Sequence, residues 1–155
     1  MGMKNKPATL VCGLVVAMST LFFAGTAQAA PKSIGKAVTV TGSAKVIRGK
    51  DKLAVKAGDP ILEHDVFVTE AGAKLAITFS DNTSFAIGPN SRIAIDTYFF
   101  DPKNLKGNMM AKIKKGTMMV RTGQLTRQQP GSVRIKTPRT VLGVRGTTFV
   151  VSVDE

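Results

Sequence analysis

The feature that most restricts the fold is an alternation of apolar and polar residues with a period of two. After the first thirty residues, such runs occupy residues 75–79, 85–87, 93–95 and 133–135. Successive side chains of a β-strand point to opposite faces, so this alternation produces one buried and one exposed face. No stretch after residue 30 keeps the 3.6-residue period of an amphipathic helix. The chain is therefore predicted to form an all-β domain with many short strands.

Residues typical of turns separate these runs at short, fairly regular intervals. One break spans only Ser80 to Thr83, where Asp81 and Asn82 can adopt the positive φ angles of a tight turn, and it predicts a β-hairpin. Strands this short are typical of sandwiches and barrels, and they also suit a twisted, solenoid-like stack. The pattern leaves the choice between a sandwich-like and a solenoid-like fold open. Further turns are predicted at Gly42-Ser43, Gly49-Lys50-Asp51, Gly58-Asp59-Pro60, Ala71-Gly72, Gly88-Pro89-Asn90, Asp101-Pro102, Gly107-Asn108, Gly116, Gly123 and Pro130-Gly131.

The first thirty residues have the organisation of a secretory signal peptide. Two lysines precede a nearly uncharged apolar stretch over residues 8–24, and Ala27-Gln28-Ala29 provides the small residues of a cleavage site. We therefore predict a signal peptide over residues 1–29 and a β domain over residues 30–155. An uncleaved anchor is the alternative, because about 18 apolar residues is near the lower limit for crossing a bilayer.

The predicted mature domain contains no cysteine, because Cys12 lies inside the signal peptide. Without disulfides, a secreted domain has to rely on a hydrophobic core. No later segment is apolar for long enough to cross a membrane. We therefore expect the processed protein in the periplasm or outside the cell, with no transmembrane segment after cleavage.

Positive charge is concentrated in the last third of the chain. Residues 103–153 contain eleven Lys and Arg and no Asp or Glu, whereas residues 30–102 contain nine basic and eight acidic residues. A block of one sign either forms a solvated face or attracts a polyanion, such as lipopolysaccharide, another polysaccharide, extracellular nucleic acid or an acidic protein surface. Sequence-specific nucleic-acid recognition is not expected. The basic residues that we expect to be exposed are Lys103, Lys106, Lys112, Lys114, Lys115, Arg121 and Arg127.

Residues that could carry catalysis or bind a metal are few. His64 is the one histidine, and tetrahedral metal sites usually need several His or Cys ligands. A calcium site at Glu63, Asp65 and Glu70 would lack the spacing of a calcium-binding loop, and no nucleophile elbow or phosphate-binding glycine loop is present. A carboxylate pair of the glycosidase kind stays open, because its spacing depends on the fold. We expect no enzyme activity, no cofactor and no metal, and we expect His64 on the surface or on an edge strand.

Tyr98, Phe99 and Phe100 form an aromatic run beside the Asp101-Pro102 loop. We expect these rings to close one end of the core, with the basic loop passing over them. A stacking platform for sugars or bases is the alternative, because rings and cations together suit both.

Arg145 stands between two glycines, Gly143 and Gly146, at the start of a final alternating run. Glycine lets the backbone bend or come close to a neighbouring strand. The guanidinium group could then form a bidentate pair with a carboxylate, for which Asp59 and Asp81 are the candidates. Capture of an anionic partner is the other interpretation. We expect the internal pair, because the alternate residues after Arg145 form an apolar face.

Four segments together resemble the FecR domain. They are residues 34–48, 55–95, 113–123 and 135–153, the last reading "IKTPRTVLGVRGTTFVVSV". Their order is specific, because a Gly-Asp turn, an F-x-D hairpin, a P-x-S turn and a terminal TP…GVRGT-x-F motif follow one another. The motif residues singled out by this resemblance are Asp59, Asp81, Thr137, Pro138, Gly143, Arg145, Gly146, Thr147 and Phe149.

The resemblance implies an extracytoplasmic, twisted β domain of the kind found in sensors that pass an iron-siderophore signal from an outer-membrane receptor to a sigma factor. We expect this chain to lack the cytoplasmic anti-sigma segment and the receptor-contacting domain of those sensors, so transcriptional control is not carried over. We predict instead a non-enzymatic, extracytoplasmic binding or signalling-accessory module whose partner is another envelope protein. The alternative is a cationic binder of an anionic envelope polymer, such as a polysaccharide or lipopolysaccharide.

Overall fold

A computed structural model of the protein describes residues 31–146 and 148–154. The predicted signal peptide and the motif residue Thr147 lie outside the described residues. The all-β prediction is confirmed, since strands account for most of the domain and the described residues include a single short helix. The elements are β1 (Gly35–Thr41), β2 (Ala44–Arg48), β3 (Asp51–Ala54), β4 (Pro60–Ile61), β5 (Val66–Thr69), β6 (Lys74–Phe79), β7 (Ser84–Ile87), β8 (Arg92–Asp101), β9 (Lys106–Arg121), α1 (Gln124–Gln128), β10 (Val133–Lys136), β11 (Val141–Gly143) and β12 (Thr148–Val153).

The strands form one curled sheet with β9 at its centre. The order along the main path is β3-β2-β5-β8-β9-β7-β6-β1-β4. The first half of β9 pairs with β8 on one side and, in parallel, with β10 on the other. Its second half pairs with β7 and with β12, both antiparallel. The predicted all-β domain is thus a single, half-barrel-like sheet that curls around one core.

The core contains residues from both halves of the sheet, and it holds the apolar positions that the alternation singles out. Phe67, Phe85, Ile93 and Ile135 are completely buried. All of them belong to one continuous apolar cluster. Burial of this much apolar surface is the main stabilising contribution to a domain without disulfides.

The predicted hairpin between β6 and β7 is confirmed. Leu75 lies opposite Ile87 and Ile77 opposite Phe85, and all four side chains are buried. Asn82 takes the positive φ angle of the turn, at 65°.

The turns predicted at Gly107-Asn108 and Gly116 are wrong, because β9 continues through both positions. A Cβ atom on Gly107 would overlap the carbonyl oxygen of Phe99, and one on Gly116 would overlap Ser91. These glycines therefore allow the backbone of β9 to come close to neighbouring residues, which is one reason for glycine inside a strand. At Gly116 the φ angle is also 90°, and the buried alternation of β9 changes phase across it.

The helix α1 was not predicted from the sequence. It follows Gly123, and the backbone N–H of Gln124 donates to the carbonyl oxygen of Asp81, 2.8 Å away. Leu125 fixes the helix to the core, because its side chain is completely buried. Among the described residues, no helix has the length and apolar character needed to cross a membrane.

Candidate binding surface and the closing motif

The expected internal ion pair of Arg145 is wrong. Arg145 is exposed, and it forms no ion pair with an acid of the described residues. Asp59 instead accepts the backbone N–H of Lys56 within its own turn, at 2.8 Å. The motif is held by the residue before the arginine, because Val144 is buried and donates its N–H to the carbonyl oxygen of Val133, 2.9 Å away.

Of the two uses expected for the motif glycines, a backbone bend and a close approach to a neighbouring strand, the structure has the bend. A Cβ atom at Gly143 or Gly146 would meet no atom within 4 Å. Gly146 has a φ angle of 143°, a conformation that residues with a side chain rarely adopt, and its carbonyl oxygen accepts a hydrogen bond from the Thr122 hydroxyl. The motif is therefore a backbone bend between β11 and β12 that leaves the guanidinium group free to point outward.

Arg48 and Asp65 form a partly buried ion pair. The Arg48 Nε and Nη2 atoms donate to the two Asp65 carboxylate oxygens at 2.8 and 2.7 Å, and Nη2 also donates to the carbonyl oxygen of Pro60 at 3.1 Å. The Asp65 side chain is completely buried, whereas that of Arg48 is 34% exposed. The hydrogen bond to Asp65 raises the pKa of Arg48 further above its usual range. This pair fixes β2 to the turn before β5.

Asp81 has a structural partner of another kind, the hydroxyl of Tyr98. The backbone N–H of Asp81 donates to the Tyr98 hydroxyl at 3.0 Å, and that hydroxyl in turn donates to Asp81 Oδ1 at 3.1 Å. Thr83 donates its hydroxyl to Asp81 Oδ2 and accepts the N–H of Gly123. Burial, together with the nearby Asp81 carboxylate, raises the pKa of Tyr98 well above its usual range. Asp81 therefore joins the β6–β7 hairpin to β8 and to the start of α1.

The aromatic run divides between core and surface. Tyr98 is buried and stacks on Phe79 with ring centroids 5.4 Å apart, as expected for a ring that closes the core. Phe100 is partly buried against the core. Phe99 is 59% exposed and lies on a groove of about 680 Å³ together with Pro31, Pro102 and Arg48.

The acids around His64 form hydrogen bonds and ion pairs with other parts of the domain. His64 is exposed in the turn before β5, which confirms its predicted surface position, and its φ angle is 68°. Glu63 accepts the backbone N–H of Tyr98 at 3.0 Å, and Glu70 pairs with Lys45 at 2.6 Å. Within residues 31–146 and 148–154, no group of three His, Cys, Asp or Glu side chains is placed to hold a metal ion.

A group of basic side chains does come together on the outer surface of β9 and β10. Lys112 and Lys114 alternate with buried residues on β9, and Lys136 lies directly opposite Lys112 on β10. Arg134, opposite Met110, is the next outward residue of β10. We call Lys112, Lys114, Arg134 and Lys136 the cross-strand basic surface. Arg134 and Lys136 were missed, although their alternation with Val133 and Ile135 indicates that they point outward.

The other predicted basic residues do not belong to this surface. Arg121 is in the second half of β9, opposite Ser84 and Thr148, and Arg127 is exposed on α1. Lys115 lies opposite Arg92, where the pairing of β8 and β9 is irregular. Lys103 and Lys106 are exposed at the β8–β9 turn. The predicted basic residues are thus distributed over several elements, and of these Lys112 and Lys114 belong to the cross-strand basic surface.

A groove of about 720 Å³ lies beside the cross-strand basic surface, between the β10–β11 turn and β12. Its walls include Lys114, Arg139 and Leu142, with residues 150–153 of β12 opposite. The predicted motif residues Thr137 and Pro138 form the turn, in which the Thr137 hydroxyl accepts the N–H of Thr140 at 3.0 Å. On β12, Val151 is buried, and Phe149 and Val153 pack partly buried against the core, as the alternation predicts.

Comparison with known proteins identifies the domain. A family model described as "FecR protein" matches residues 65–155, which is more than half of the chain. The chain belongs to the FecR family. FecR proteins form a signalling-related family that is not enzymatic. The match begins at Asp65, so the earlier strands β1 to β4 lie outside it.

A solved structure described as "Cell surface anchoring domain" is 29% identical in sequence; the similarity covers 39% of this chain and 82% of that chain, with a TM-score of 0.38. No curated protein matches the chain.

Proposed function

We propose that this FecR domain is a non-catalytic, extracytoplasmic binding module that holds an acidic partner protein of the cell envelope on the cross-strand basic surface. The predicted signal peptide supports the location, and membership of a signalling-related family supports a binding role.

One observation carries this proposal. Lys112 and Lys136 are neighbours in the register of two parallel strands, so their positive charges lie close together and repel each other. Asp96 compensates only Lys112, at 3.1 Å, and it is itself partly exposed. Among the described residues, Lys136 and Arg134 have no acidic partner. A bound carboxylate or phosphate group would relieve this repulsion, so an anion stabilises the surface when it binds.

An anionic envelope polymer is the second candidate partner. It is supported by the absence of any acidic residue from 103 to 153, because a polymer can follow a long basic surface. The two partners differ in their salt dependence. Polyanion binding falls steeply with salt because counterions are released, whereas a protein contact that also buries apolar surface falls less.

The test uses the variant Lys114→Gln/Arg134→Gln/Lys136→Gln, which leaves the Lys112–Asp96 pair intact. Its matched control is Lys50→Gln/Lys52→Gln/Lys56→Gln, which removes the same charge from exposed positions of the first half. We expect the first variant to elute from a heparin column at clearly lower salt than the control, and to lose acidic partners from an envelope extract. Equal elution of the two variants would contradict the proposal. The location is tested by fractionation and by sequencing the amino terminus of the exported protein.

A further inference from the structure

Four strands end the pairing paths of the curled sheet among the described residues, and three of them are blocked against further pairing. Natural sheets protect edges with charge, proline or very short strands. β3 carries Asp51 and Lys52 on four exposed residues. β4 has two residues and begins with Pro60, and β11 has three residues and ends with Gly143.

β12 has none of these protections. Its six residues, Thr148–Val153, include no charge, no proline and no glycine, and all of them pair with β9 along one side only. Val150, near its middle, is 57% exposed. An uncharged edge strand of this length, rich in β-branched residues, is a template for another strand.

The direction of the unused backbone groups follows from the neighbouring pair. The carbonyl oxygen of Thr117 accepts the N–H of Gly88, which lies on the β7 side of β9. Backbone groups of alternate residues point to the same side of a strand, so Met119 is directed towards β7 as well. Val150, which lies opposite Met119, therefore directs its N–H and C=O away from β9. The same holds for Ser152, opposite Thr117.

The charge beside this edge selects the occupant. The groove along β12 is lined by Lys114 and Arg139, and Asp154 is the one acid among the described residues that line it. A second copy of the chain would place these cations against one another, which disfavours pairing of two β12 strands. An extended segment with acidic side chains would complement them, and an apolar side chain opposite Val150 would cover that exposed residue.

We propose that the free edge of β12 docks an extended acidic segment of a partner protein, which adds to the sheet as a further strand. The proposal rests on the proposed function, since it specifies how the acidic partner is held. In such strand addition the backbone hydrogen bonds supply the affinity, and the alternating side chains supply the specificity.

The probe is a nine-residue peptide of alternating glutamate and valine, compared with one in which two valines are replaced by proline. Both peptides have the same charge, but the second cannot complete the backbone pairing. We expect the proline peptide to bind the protein at least about tenfold more weakly, because it loses two or more hydrogen bonds. A peptide of alternating lysine and valine should not bind.

The matched protein variants are Val150→Pro and Val150→Thr. Proline removes an N–H that points away from β9, so an edge strand tolerates it without losing a hydrogen bond to β9, whereas threonine keeps that N–H. We expect Val150→Pro to weaken the glutamate peptide about tenfold and Val150→Thr to leave it unchanged. Amide hydrogen exchange checks the same point without a variant, because the amides of Val150 and Ser152 should become protected only when the peptide binds.

The outcomes separate the two proposals. If both peptides bind equally and the amides of Val150 and Ser152 stay unprotected, strand addition is overturned while an acidic partner on the basic surface stands. Strand addition is also overturned if no peptide binds, if the amides of Val150 and Ser152 are already protected in the free protein, or if β12 pairs two copies into a dimer. The heparin comparison judges the basic surface independently of all these results.

Discussion

Replacement of Arg48 by methionine tests which arginine holds the domain together. Methionine keeps the length of the apolar stem, but it removes both hydrogen bonds to Asp65. The Asp65 carboxylate is completely buried in the wild type, and in the variant the backbone N–H of Leu62, 2.9 Å away, would remain as a donor. The variant therefore leaves an uncompensated charge in the core.

Breaking a buried ion pair by removing one partner costs about 3 to 5 kcal/mol. Because the Arg48 side chain is 34% exposed, water can enter beside Asp65 and reduce this loss, so we expect about 2 to 4 kcal/mol. That is a large share of the stability of a domain, and it corresponds to a fall in Tm of about 8 to 15 °C.

Urea unfolding measured by circular dichroism gives the free energy of unfolding of each variant. The control is Arg145→Ala, which should change it by less than about 0.5 kcal/mol, because Arg145 is exposed. Arg48→Met combined with Asp65→Asn should be more stable than Arg48→Met alone, since the buried charge is then absent. A loss at Arg145 as large as the loss at Arg48 would refute the reasoning.

Three further variants test other parts of the structure. The folded state raises the pKa of Tyr98, so the protonated hydroxyl stabilises the domain fully below the unfolded-state pKa of about 10, and this contribution is lost as the pH rises above that value. Tyr98→Phe should therefore lose less free energy of unfolding than the wild type between pH 8 and pH 11, as measured by urea unfolding. Gly116→Ala should destabilise the domain by at least about 2 kcal/mol in the same assay, because the new Cβ atom would overlap Ser91 and the φ angle there is 90°. A loss below about 0.5 kcal/mol, as small as that of a surface substitution, would contradict the close approach of the two strands. Val144→Ala should cost about 1.5 kcal/mol through lost burial, and an unchanged Tm would show that Val144 does not anchor the closing motif.

Local patterns were sufficient for the strands whose two faces differ. The alternation at residues 75–79 and 133–135 identified β6 and β10 and their buried sides. A strand that buries one face has an apolar residue at every second position, so the pattern is visible in the sequence. The hairpin between β6 and β7 was equally accessible, since four residues determine its turn.

Features that depend on distant neighbours were not accessible in this way. Glycine inside β9 has the same local appearance as glycine in a turn, and Ser91 and Phe99 decide which it is. Arg48 and Arg145 are both arginines near glycine, and the acid that pairs with Arg48 is 17 residues away along the chain. For the same reason the sequence identified only part of the cross-strand basic surface. The parallel pairing of β9 with β10 brings Lys136 next to Lys112, and no local pattern indicates that pairing.

The central position of β9 has a consequence for how the domain melts and refolds. One half of this strand is embedded between β8 and β10 and the other between β7 and β12, so neither region retains its interior once β9 detaches. Loss of structure should consequently be a single all-or-none event, with coincident transitions from probes in either region. β9 follows β1 to β8 in the chain, and its long-range pairings must form before those earlier strands can enclose a core. We therefore expect slow refolding, on the millisecond-to-second scale that is typical of all-β topologies.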